Sequence, residues 1–163
     1  MNLELLLQLK QHWMGLRGRT YDLLDVLKES DLEKKLPFPE SKTLYYQLWS
    51  LVGTSESFAQ FISTGNWKGW NSSLPFDVKE ASLEDVKSRL QKGEYQIIDA
   101  LERADPLREF EGGETPVYLY ITLAELESHH HGQIVPYIMA HNLPIPKSWA
   151  RLGFSCSKFT RVS

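Results

Sequence analysis

The stretch Tyr118–His141, YLYITLAELESHHHGQIVPYIMAH, decides how the chain reads. At about 100° per residue it lays Leu119, Leu123, Leu126, Ile134, Tyr137 and His141 within roughly 40° of His130. That is an amphipathic helix with an imidazole near the middle of its apolar stripe. His129 and His131 project about 100° to either side. The spacing therefore predicts that His130 points into the core while its two neighbours form a rim. Pro136 lies inside the helix, where its missing N–H predicts a kink.

Working outward, three more helices are expected. Residues 3–28 place Leu5, Leu9, Leu16, Thr20, Leu23 and Leu27 on one face, with His12 about 40° from its centre. Gly15 and Gly18 inside this helix suggest close approach by a neighbour. Ser30-Asp31-Leu32-Glu33 has the form of a capping box, and Leu36-Pro37-Phe38-Pro39 forces extended backbone. Ser41 is the expected N-cap of a second helix that stops at Gly65, with a seam of Leu44, Leu48, Leu51, Ser55, Phe58 and Ile62. Residues 66–81, with Trp67 and Trp70, are long for a bundle connection and fit a crossover along the bundle better than a hairpin. Ser82 opens a third helix whose stripe is Leu83, Val86, Leu90, Ile97 and Leu101, with Glu94 at its edge. Asp105 to Pro116 is a second connector. The tail after His141 carries Trp149, Phe154 and Phe159 and is expected to pack over a bundle end. The fold expected is all-α, a four-helix bundle with a long crossover connection, in one domain with a core over about residues 3–148 and a tail over 149–163.

Composition narrows the function. A chain of 163 residues with 42% hydrophobic and 24% charged residues suits one globular domain. The net charge of −3, with both signs interspersed, gives no basic footprint for nucleic acid. No apolar run approaches a bilayer span, and the apolar start MNLELLLQLK lacks the basic flank and cleavage site of a signal peptide. The single Cys156 forms no internal disulfide and suits a reducing compartment, so a cytoplasmic protein without membrane or nucleic-acid partners is expected. Cys156 has no neighbouring His or Lys pattern that would mark it as reactive.

An inward His130 has three roles open to it: metal ligand, general base, or core residue satisfied by one hydrogen bond. Glu127 and His130 have the Glu-x-x-His spacing of di-iron bundles. Such centres need two of these motifs and a carboxylate from each other helix, and the second helix has none on its seam. A mononuclear site centred on His130 would recruit helpers among His12, Glu94 and His129. Equally, His12 and Glu94 would serve as partners in a buried polar network. Glu127 and His131, one turn apart on the flank, read as a solvated ion pair.

The run Glu127-Ser128-His129-His130-His131-Gly132-Gln133-Ile134, with Tyr137-Ile138 and Leu143-Pro144, resembles the last core helix of the DinB/YfiT-like superfamily. Trp49-Ser50-Leu51-Val52-Gly53-Thr54-Ser55-Glu56-Ser57-Phe58 is similar to that family's second helix, and the resemblance spans roughly residues 3–148. It implies a four-helix fold that usually holds one divalent metal, often Ni or Zn, on three histidines. Carried onto this chain, those positions are Leu51 (Ser50 with the register moved by one), Leu126 and His130, so only His130 is retained. The resemblance thus implies a DinB-like binding or structural bundle with a degenerate metal site, a homodimer with a possible small-molecule ligand. The alternative is a divalent-metal-dependent enzyme, a thiol-dependent S-transferase or a hydrolase, with a rearranged ligand set around His130.

Overall fold

The computed structural model describes residues 3–151; the expectations for Phe154, Cys156 and Phe159 fall outside them. Four long helices, α1 (Leu3–Leu24), α2 (Leu44–Thr64), α3 (Leu83–Arg103) and α4 (Pro116–His141), are followed by a short α5 (Lys147–Arg151). Among the described residues no β-strand forms, and a lone bridge pairs Lys35 with Thr43.

Two apolar clusters define how the helices run. Leu23, Leu24, Leu44, Leu48, Val86, Leu90, Ile134 and Ile138 gather at one end. Leu6, Leu9, Phe58, Ile62, Ile97, Leu101, Leu119 and Leu123 gather at the other. The start of α2 thus meets the start of α3, so these two are parallel, while α1 and α4 run the opposite way. Parallel neighbours require a connection as long as a helix, and residues 66–81 supply it. The segment is laid back along α2 by hydrogen bonds at successive points. Ser57 pairs with Asn71, Trp49 Nε1 donates to the Leu74 carbonyl at 3.1 Å, and Tyr45 OH donates to the Pro75 carbonyl at 2.6 Å. The expected crossover is present.

The caps explain the bounds. Asn142, in the left-handed region at φ 51°, ends α4, and Gly65 does the same for α2 at φ 69°. Ser82 and Asp85 exchange bonds as a capping box at the start of α3. Thr115 caps α4 with Pro116 at its first position, two residues before the expected start, and the helix continues as one element through Pro136. Four expectations shift. α1 ends at Leu24 rather than 28, and the turn after it is closed by the Lys28 N–H donating to Asp31 Oδ2 at 2.8 Å, not by a capping box of Ser30 and Glu33. The N-cap of α2 is Thr43, because the Ser41 hydroxyl is held by the Leu36 N–H and the Lys42 carbonyl. A Cβ at Gly15 or Gly18 would meet nothing within 4 Å; among the glycines inside the helices, the close approaches lie at Gly53 and Gly93 instead.

The α2 seam is buried as expected, with Leu44, Leu48, Leu51 and Ile62 fully enclosed. Each contributes on the order of 2 kcal/mol, and this offsets the weak helix propensity of the buried Ser50, Thr54, Ser55 and Ser57. Trp149 of α5 is 4% exposed and its Nε1 donates to the Arg19 carbonyl. It joins the apolar cluster at the end of the bundle where α1 and α4 finish, with its ring 4.9 Å from that of His131.

Candidate functional site: a cavity between α2, α4 and the crossover

The three histidines of α4 separate. His131, not His130, is the one built into the core, at 9% exposed, and Glu127 one turn before it is 1% exposed. The buried face of α4 keeps Leu119, Leu123, Ile134 and Tyr137 of the expected stripe and widens on one side to take in Tyr120, Ala124, Glu127, His131 and Ile138. Its centre is thereby turned toward His131, and His130 and Leu126 fall at the edge. The physical reason is on α1. Arg17, fully buried, reaches Glu127 Oε2 at 3.3 Å through Nη2, which also donates to Ser55 Oγ. Thr20 Oγ1 donates to Glu127 Oε1 and lies 2.8 Å from His131 Nε2. Since the Thr20 proton goes to the carboxylate, its lone pair accepts from His131 Nε2–H, which fixes the tautomer.

Burial, with Arg17 adding to it, pushes the His131 pKa down to about 3, so the ring is neutral at pH 7. Burial pushes the Glu127 carboxyl up, and Arg17 and Thr20 pull it back. The guanidinium also stands over the Trp13 ring at 4.8 Å, while its Nε and Nη1 have no hydrogen-bond partner. Glu127 and His131 are therefore not a solvated pair but parts of a closed polar knot between α1 and α4.

His130 turns the other way. It is half-buried, its Nδ1 lies 2.9 Å from Gln47 Oε1 on α2, and burial followed by repulsion from His129 pushes its pKa down to about 4. With Gln47 presenting oxygen, Nδ1 donates and Nε2 keeps a lone pair. The ring lines a cavity of about 730 Å³ bounded by α2, α4 and the crossover. Aromatic side chains make up half of the residues on the wall. Trp49 and Trp70 approach with centroids 4.5 Å apart, and Trp67 stands against Phe58 and Phe61 at 5.8 and 5.5 Å. The Trp70 ring is seated on Gly53, where a Cβ would fall 2.3 Å from a ring carbon, and its Nε1 donates to Thr54 Oγ1. Only a glycine in α2 leaves room for that indole.

The positions that the resemblance assigns to metal ligands meet on this wall. Ser50, Leu126 and His130 all line the cavity, whereas Leu51 is fully enclosed in the seam and does not. The register moved by one is the one that converges. The donor set there is one imidazole, one hydroxyl and one aliphatic chain, which does not fit a divalent metal that takes three protein ligands. Two of the expected helpers are engaged elsewhere: His12 is exposed, with its Nδ1 2.6 Å from Tyr120 OH, and Glu94 accepts from Tyr21 OH. His129 is exposed and does not line the cavity, although its ring stands edge-on to that of His130 with centroids 6.0 Å apart. His12 and Glu94 are not partners of each other. Among the described residues, no group of three or more His, Cys, Asp or Glu is arranged to hold a metal ion.

No protein-family model matches the sequence, and no curated protein matches it. Among solved structures, the chain is similar to the crystal structure of a DinB-like protein, YjoA, from Bacillus subtilis. The TM-score is 0.63 at 17% identity, over 91% of this chain and 94% of that one. An all-helical bundle with four long helices and a returning crossover, superimposing along nearly the whole of both chains, is a DinB-like fold.

Proposed function

We propose that the protein is a binding module that encloses a small, largely apolar organic molecule in the α2/α4 cavity, at the place where its fold relatives are implied to hold a metal. The observation that carries this is the wall itself. A cavity of about 730 Å³ is within the range of small-molecule sites, and it combines aromatic surface with a few placed polar groups, Ser50, Thr54 and His130. Leu126 stands where a nitrogen donor would be required. The same reading includes a homodimer; exposed Leu3 and Leu7 on α1 and Ile121 on α4 support it.

The test is a titration of untagged protein with the neutral fluorophore 1-N-phenylnaphthylamine, repeated on Leu126→Trp, which fills the cavity. Saturable binding at one site per chain, lost in the variant while helical circular dichroism is kept, is expected. No saturable binding, or binding unaffected by the variant, refutes the reading. Stoichiometric Ni or Zn in untagged protein, absent from His130→Ala, would replace it with metal-dependent transferase or hydrolase chemistry.

A further inference from the structure

We propose that the molecule taken by the α2/α4 cavity is an organic cation, an ammonium or quaternary ammonium group on an apolar body. This deepens the binding reading above and rests on it. The argument is one of charge. Seven of the side chains lining the cavity are aromatic, a density that volume filling alone does not require, since aliphatic side chains would enclose the same space. Each ring presents a negative π face, and cations are attracted to such faces, most strongly to those of tryptophan. Trp49, Trp67 and Trp70 all contribute and Tyr118 adds a further ring, while Tyr46 already has Lys42 Nζ over its ring, 5.8 Å from the centroid.

The formal charges point the same way. Among the described residues that line the cavity, Glu114 is the one that carries a carboxylate, which lies at the rim over Gly112, and none is a lysine or arginine. The chain places Glu114 there by a local device: the Phe110 N–H bonds to the Glu114 carbonyl at 2.9 Å, closing the turn through Gly113 at φ 88° just before α4. The other polar side chains on the wall are Ser50, Thr54, Thr122 and His130, besides the tyrosine hydroxyls and the indole N–H groups, of which those of Trp49 and Trp70 are already engaged. With Nδ1 engaged by Gln47, His130 offers an acceptor in Nε2. An anionic ligand would face Glu114 and the π faces with no lysine or arginine among the described lining residues. A neutral ligand would gain only contact area, whereas a cation gains from every ring it faces and from the carboxylate.

The experiment uses displacement of bound 1-N-phenylnaphthylamine by three compounds of nearly the same shape: phenyltrimethylammonium, its neutral isostere tert-butylbenzene, and benzenesulfonate. The full chain and Glu114→Gln are compared. Displacement by phenyltrimethylammonium is expected, with benzenesulfonate inert. Glu114→Gln should weaken the ammonium by about two- to fivefold, the range of a partly exposed ion pair, and leave tert-butylbenzene unchanged. Displacement by tert-butylbenzene or benzenesulfonate but not by the ammonium overturns the cation assignment and leaves the cavity a ligand site. So does an ammonium whose affinity Glu114→Gln does not alter. Failure of the fluorophore to bind at all overturns the binding reading beneath it.

Discussion

His130 and His131 are adjacent in sequence, yet one faces an open aromatic cavity and the other a sealed polar knot. On the α1 side, the chain supplies its own partners: Thr20 engages Nε2 of His131 and bonds to Glu127, and Arg17 pairs with that carboxylate. On the α2 side, Gln47 holds one nitrogen of His130 and a cavity lies beside the ring. A rotation of about 100° along one helix thus separates a side chain that specifies packing from one available to a ligand. Burial lowers the pKa of both, so a depressed histidine pKa does not by itself distinguish a functional group from a structural one.

The comparison breaks most visibly at Arg17. Arg17→Met strands the Glu127 carboxylate in the core and should cost about 3–5 kcal/mol, read from urea unfolding. Adding Glu127→Leu should recover most of that loss, because an apolar pair of similar volume replaces the ion pair. A loss under 1 kcal/mol for Arg17→Met would mean that the knot is hydrated rather than sealed.

A pH series sharpens the same contrast. Unfolded histidine titrates near 6.5, while His131 in the fold titrates near 3. Between those values the unfolded chain binds a proton that the folded chain refuses, so stability is full above about pH 6.5 and falls as pH drops, by up to about 1.4 kcal/mol per unit. His130 adds the same sign down to about pH 4. Glu127 opposes it just above the ordinary carboxylate range, since burial delays its ionisation in the fold. His131→Gln should therefore reduce the slope between pH 6.5 and 5 by about one proton, whereas an unchanged slope would place His131 in water.

The smallest effect belongs to the cavity side. Gly53→Ala pushes the Trp70 ring off α2, and because Trp70 is 41% exposed the ring can move. The stability cost should stay near about 1 kcal/mol, while the affinity for 1-N-phenylnaphthylamine falls severalfold. Unaltered affinity would exclude Trp70 from the ligand wall.

Much of this was legible from residue spacing. The helices, the α2 seam, the Ser82 and Gly65 boundaries and the returning crossover all follow from apolar periodicity and cap chemistry. What periodicity misplaced was the inward histidine, because a count of apolar residues scores Glu127 as surface. A polar signal was nonetheless present: Thr20 sits at a core position of α1, and Glu127 and His131 share a face one turn apart. Each makes sense only with its partner on the other helix, and pairing across helices is not written in either one. The cavity was less visible still. It depends on Gly53 receiving Trp70 from a connector that carries no periodic pattern, so its two tryptophans could be noted but not placed.

The most direct test is a long-range ¹H–¹⁵N spectrum of the histidine rings, recorded while the untagged protein is titrated with phenyltrimethylammonium at pH 7.5. The His130 ring signals should shift to saturation, and those of His131 should stay those of a neutral Nε2–H imidazole. Movement of His131 with His130 silent would contradict the account, as would a shift of His130 together with other imidazoles on adding one equivalent of Zn²⁺.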